Sequence, residues 1–280
     1  MARIVGGIGS SHVPSIGKAY DMGQQEEPDW KPLFDAYKPV QRWLAALRPD
    51  IAIVVYNDHG ASMFFDKYPT FAVGAADSYP IGDEGWGTRP LPPVRGDAEF
   101  SWHLCEQLVY DEFDITVCQE LEVEHGFLVP MHLCFPHDPD WPVAAVPVAV
   151  NVIQHPIPTA LRCYKLGQAI ARAVAACERD LKVVIFGTGG LSHQLNGRRF
   201  GHINPEWDQA FLDKVVSDPV ALTRLTHQEI MEEAGAEAVE VIMWLTMRGA
   251  LPETCRLVHR NYYAPMATGM GLLAFEAVAA

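Results

Sequence analysis

A chain of 280 residues, 49% apolar and 20% charged, can bury a substantial core without disulfides or structural metals. Its net charge of −14 would repel a phosphate backbone, which argues against a nucleic-acid partner. The six cysteines are scattered with no Cys-x-x-Cys pair, and neither a leader segment nor a long uncharged apolar run is visible, so a cytoplasmic protein with reduced thiols and no membrane association is expected.

The first element is a short strand over Arg3 to Gly9 that gives way to Ser10-Ser11-His12-Val13-Pro14. Pro39 to Leu47 has helical spacing and leads through Arg48-Pro49-Asp50 into Ile51 to Tyr56, an apolar run rich in β-branched residues of the kind buried on both faces of a sheet. That run switches abruptly to Asn57, Asp58 and His59, and polar groups at the ends of buried strands are where open α/β sheets place ligands. Thr70 to Gly74 is a further strand. The Pro-, Gly- and acid-rich stretch from Ala76 to Asp97 reads as a long loop, serving either as a lid or as a plain surface crossing.

Glu99 to Asp111 is predicted helical and Phe113 to Cys118 extended, followed by Glu124-His125-Gly126 and an apolar helix or strand over Leu128 to Cys134. Val143 to Val152 and Leu181 to Phe186 are buried strands, separated by a helix from Thr159 to Cys177 with a threonine cap. The second of these strands runs into Gly187-Thr188-Gly189-Gly190-Leu191-Ser192-His193. This is neither a Walker loop nor a dinucleotide fingerprint, and it reads as a turn that lets the backbone approach a ligand. Helix starts follow at Asn204-Pro205 and Asp218-Pro219, then a capping box at Thr226 to Glu229 and a last helix from Ala236 to Met247. Met270 to Phe275 is a closing strand. The pattern predicts one α/β domain over residues 1–280, with a central mixed sheet flanked by helices.

Four histidines, His12, His59, His125 and His193, sit beside glycines and small or acidic residues, and three of them directly follow strands. His155, after a strand and before two prolines, is an intermediate case, and the other six have settings typical of structural histidines. Glu240 lies in a helix apolar almost all round, so it is expected to be buried, and a buried carboxylate must be protonated, paired or bound to a metal. Two histidines with one carboxylate suit a non-haem Fe(II) oxygenase, although zinc hydrolases draw on the same ligand types.

Taken together and in order, Ser-Ser-His-Val-Pro (10–14), Tyr-Asn-Asp-His (56–59), Asp-Glu-Gly-Trp-Gly (83–87), Glu-His-Gly (124–126), Gly-Thr-Gly-Gly-Leu-Ser-His-Gln (187–194) and Val-Glu-Val-Ile-Met-Trp-Leu (239–245) resemble the type II extradiol ring-cleavage dioxygenases, among them protocatechuate 4,5-dioxygenase β subunits and gallate dioxygenases. The resemblance implies the fold of that catalytic subunit and an Fe(II) held by His12, His59 and Glu240. It also implies His193 as catalytic base and His125 as a histidine contacting substrate, with Asn57 a weaker contact. The implied reaction is meta cleavage of a dihydroxy- or trihydroxybenzoate by O2. Protocatechuate is the first expectation, gallate or 3-O-methylgallate the alternative, and a non-enzymatic metal-binding relative the rival. Pro265-Met266-Ala267-Thr268 resembles the gallate type, which makes Thr268, with Ala267 beside it, the contact for the substrate carboxylate. A small helical α subunit, within a dimer of heterodimers, is the implied partner.

Overall fold

In the computed structural model, which describes residues 1–278, the strands that carry the histidines lie side by side. The elements in chain order are β1 (Arg3–Ser10), α1 (Pro14–Asp21), α2 (Lys31–Leu47), β2 (Ile51–Tyr56), β3 (Phe71–Gly74), β4 (Ser78–Tyr79), β5 (Val94–Arg95), α3 (Ala98–Tyr110), β6 (Thr116–Cys118) and α4 (His125–Cys134). They continue with β7 (Ala144–Val150), α5 (Ala160–Ala176), β8 (Lys182–Thr188), α6 (Pro205–Ser217), α7 (Pro219–Leu222), α8 (His227–Ala234), α9 (Ile242–Ala250), β9 (Arg256–Tyr263) and β10 (Met270–Glu276). Eight strands form one mixed sheet in the order β6-β3-β7-β2-β8-β1-β10-β9. Its centre, β7-β2-β8-β1, is parallel, while β3 against β7 and the β1-β10-β9 side are antiparallel.

Side-chain alternation splits the apolar strands between two cores. Ile51, Ile53 and Val55 of β2 face the layer of α3, α5 and α9, while Ala52, Val54 and Tyr56 face α2 and α4. All six are buried, which is why the sequence reads as a continuous apolar run. Helices α5 and α9 pack closely because Gly167 carries no side chain: a Cβ there would lie 2.0 Å from the Thr246 carbonyl oxygen.

The structure departs from the sequence reading in several elements; the strand expected from Phe113, for example, is confined to Thr116–Cys118. Helix α2 begins at Lys31, eight residues before Pro39, and its buried Leu33, Phe34, Tyr37, Val40 and Leu44 form one helical face across that proline. The segment from Ala236 is not one helix: Glu237–Val241 is a 3-10 turn that passes into α9. Strand β9 was not anticipated, because an edge strand with Arg256, His259 and Arg260 lacks the apolar run of the central strands. The 76–97 loop holds the short β4-β5 ribbon and lies fastened across α1 and α4.

Candidate active site

Strands β2, β8 and β1 are adjacent and parallel, so their C-terminal ends open on one edge of the sheet and deliver His59, His193 and His12 to one place. His12 follows β1, and the segment is pinned by Ser11, whose amide donates to the Gly271 carbonyl (3.0 Å) and whose hydroxyl accepts from the Gly271 amide (2.9 Å). His59 follows β2 in a turn shaped by buried Asp58, whose carboxylate accepts from the amides of Gly60 (2.9 Å), Ser62 (3.1 Å) and Met63 (2.9 Å). A turn-forming Asp and a site histidine are therefore neighbours, not alternatives.

Glu240 arrives from the opposite side on the 3-10 turn and is only 8% exposed. The glycine run serves this carboxylate. Gly189 has φ +128°, and a Cβ there would lie 2.8 Å from the Cβ of Glu240, while the Gly190 amide donates to Glu240 Oε2 at 2.9 Å. Glu240 Oε2 stands 3.3 Å from His12 Nε2, and Oε1 stands 3.6 Å from His59 Nε2. One donor atom from each of the three residues lies within 4.8 Å of the others.

These residues fit a divalent metal. His12 Nε2 is buried and makes no hydrogen bond among the described residues, which is costly for a polar atom unless something binds it. The outer nitrogens are held as metal-binding imidazoles require: His12 Nδ1 is 2.9 Å from Thr188 Oγ1, and His59 Nδ1 is 3.2 Å from Glu124 Oε1. The His59 side chain is 27% exposed; its partial burial disfavours the charged ring, but Glu124 and Glu240 outweigh it and push its pKa up to about 10. Burial likewise disfavours ionised Glu240, yet His12, His59 and His193 hold it well below the usual carboxylate range. The cluster is electrostatically matched to a positive charge at its centre, which a metal supplies.

His193 is 5% exposed, and its Nδ1 donates to the Leu191 carbonyl at 2.8 Å. A carbonyl can only accept, so the neutral ring carries its proton on Nδ1 and keeps a lone pair on Nε2, which lies 3.9 Å from Glu240 Oε2. Behind it, buried Asp208 accepts from the Ser192 amide, the Ser192 hydroxyl and the Tyr262 hydroxyl, all between 2.7 and 2.8 Å. Glu124 caps α4 by accepting from the Gly126 amide (3.0 Å), which sets His125 at the first position of that helix. The His125 ring lies 4.0 Å from that of His59 between centroids.

The cluster forms the floor of a cavity of about 680 Å³, which His125, His193 and Thr268 also line. Thr268 is 5% exposed and pairs with His193 through an antiparallel bridge. His155 lines the cavity too, whereas His103, His202 and His227 each bond a backbone carbonyl away from it. Asn57 is fully buried with Nδ2 3.0 Å from His59 Nε2, and neither it nor Ala267 is among the lining residues. Glu84, Glu124 and Asp208 went unassigned in the sequence because each acts on a histidine or its neighbour distant along the chain.

A family profile described as the catalytic LigB subunit of aromatic ring-opening dioxygenase matches residues 6–273. A gallate dioxygenase from Pseudomonas putida is 48% identical over 196 residues, which is 70% of this chain and 58% of that protein. The alignment thus spans less than two thirds of that relative's length. A 2,3-dihydroxyphenylpropionate/2,3-dihydroxicinnamic acid 1,2-dioxygenase from Burkholderia vietnamiensis is 28% identical over 250 residues, covering 74% of this chain and 76% of its own. The crystal structure of uncharacterized protein JW3007 from Escherichia coli K12 has the same fold, with a TM-score of 0.56 at 15% identity over 98% of this chain and 100% of that one. With a profile match over nearly the whole chain, this protein belongs to the family of catalytic LigB subunits of aromatic ring-opening dioxygenases.

Proposed function

We propose that this protein is an Fe(II)-dependent extradiol dioxygenase that opens the ring of a trihydroxybenzoate of the gallate type. The observation that carries this reading is the meeting of His12 Nε2, His59 Nε2 and the Glu240 carboxylate beside the free lone pair of His193. An iron bound by His12, His59 and Glu240 would supply O2 activation and lower the pKa of the substrate hydroxyls.

The chain's own groups do the rest. His193 Nε2 accepts a proton from a substrate hydroxyl, its ring held in the correct tautomer by the Leu191 carbonyl. His125 lines the same cavity and hydrogen-bonds substrate or O2 from its exposed ring edge. No lysine or arginine is among the described lining residues, so the substrate carboxylate depends on neutral donors, with Thr268 Oγ1 the first of them. The 48% identity to a gallate dioxygenase and the Pro-Met-Ala-Thr segment favour gallate, or a methylated gallate, over the protocatechuate first expected. Ile153 and Leu195, exposed apolar side chains at the cavity, support a small helical α subunit as the cover that excludes water.

The reading is tested by O2 uptake with gallate, protocatechuate and pyrogallol after anaerobic Fe(II) loading. Gallate is expected to have the highest kcat/KM. Thr268→Val is expected to raise KM for gallate about tenfold, the value of one hydrogen bond to a charged group, and to leave pyrogallol, which lacks the carboxylate, nearly unchanged. Equal effects on both would remove Thr268 from the carboxylate site. Faster turnover of protocatechuate would restore the first expectation, and no uptake with any of the three would defeat the enzyme reading.

A further inference from the structure

The 76–97 loop reaches His125, which lines the cavity, through one side chain, without lining the cavity itself. Asp83 builds its turn by accepting from the Gly85 and Gly87 amides (2.8 and 2.9 Å), both glycines having positive φ. The turn sends Glu84 inward, where its side chain is 5% exposed and Oε2 lies 2.9 Å from His125 Nδ1. The same nitrogen lies 2.5 Å from Glu124 Oε2. The loop is fastened on both sides of this contact. Ile81 bridges Val123, with the Gly82 amide donating to the Val123 carbonyl at 2.9 Å. Arg89 grips Asp21 of α1 through two bonds of 2.8 Å and places Nη2 3.0 Å from His132 Nδ1 on α4.

We propose that Glu84 is a positioning residue for His125: its carboxylate accepts the Nδ1–H and thereby turns the other edge of the ring, with Nε2, toward the cavity. An imidazole held from one nitrogen pivots about its Cβ–Cγ bond, and a second acceptor from an independent segment removes that freedom. Of the two carboxylates beside Nδ1, only Glu84 meets it with hydrogen-bond geometry, whereas Glu124 is aligned on the Gly126 amide through Oε2 and on His59 through Oε1. The shared Glu124 makes His59, Glu124 and His125 a possible metal-binding triplet on distance alone. Those hydrogen bonds already occupy the donor atoms, so the triplet reads as a positioning network. The loop is then a docked brace that ties α1, α4 and the cavity wall together.

This inference rests on the proposed ring-cleaving activity, so its test has one arm that needs turnover and one that does not. In the first, kcat/KM for gallate is measured for Glu84→Ala, His125→Ala and the double variant, together with iron content. Glu84→Ala is expected to keep its iron and lose about tenfold or more, the cost of a misaimed group. In the His125→Ala background the same change is expected to cost almost nothing, because a residue acting through His125 has nothing left to act on. Glu84→Gln, which retains an acceptor oxygen, is expected to recover most of the loss. An equal loss in both backgrounds, or loss of iron from Glu84→Ala, would overturn the assignment. In the second arm, ¹⁵N-histidine spectra of the metal-free protein identify the His125 signals by their absence in His125→Ala. Glu84→Ala is expected to shift them. Unmoved signals would overturn the inference even if gallate proved not to be a substrate.

Discussion

At the residue scale the site depends on Glu240, a carboxylate taken out of water and left beside His12 and His59. Removing it takes away a proposed ligand and one of the two carboxylates, with Glu124, whose charge makes a cation favourable there. Glu240→Ala is therefore expected to hold no iron after anaerobic loading and desalting, and iron content equal to that of the unaltered protein would refute its role as a ligand. The convergence of His12, His59, His125, His193 and Glu240 on one cavity was legible in the sequence for physical reasons: strand ends gather on one sheet edge, and a lone carboxylate in an apolar helix needs a partner. Glu124 and Asp208 were not legible in that way. Their work is to hold His59 and the His193 segment, 65 and 16 residues distant along the chain respectively, and no spacing rule announces such contacts. The glycine run was visible, but its purpose was not: it admits Glu240 at close range.

At the scale of elements, caps and central strands were read well because their signals are local. Thr226 and Glu229 form the expected capping box, and Asn204 caps α6. The 76–97 loop could not be resolved between lid and surface crossing, because what decides it is Arg89 meeting Asp21 and His132. That attachment has a pH signature. Burial, reinforced by the Arg89 guanidinium, lowers the pKa of His132 to about 4 from its ordinary 6.5. Unfolding therefore takes up a proton between those values, and stability that is complete above pH 6.5 is lost as pH falls toward 4, by about 3 kcal/mol. Denaturant melts of the metal-free protein across this range, compared with His132→Gln, are expected to show a flatter pH dependence in the variant. Identical slopes would show that His132 does not carry the effect. Protonated His132 also confronts Arg89 with a like charge, so the brace around Glu84 is expected to loosen over the same interval.

At the scale of the whole molecule, the mixed sheet acts as a fixture that brings three adjacent parallel strands to one edge and closes the site with the 3-10 turn before α9. The separation of roles is built into this arrangement. His12, His59 and Glu240 face one another, whereas His193 arrives on β8, between the strands that carry His59 and His12, with its Nδ1 proton committed to Leu191. The most direct test of the proposed division between metal ligands and base is iron content and O2 consumption with gallate, measured side by side for the Fe(II)-loaded protein and for His193→Phe. The expected outcome is the same iron content in both and a rate at least about a hundredfold lower in the variant, the usual cost of a missing general base. Loss of iron from His193→Phe, or an undiminished rate, would contradict that division.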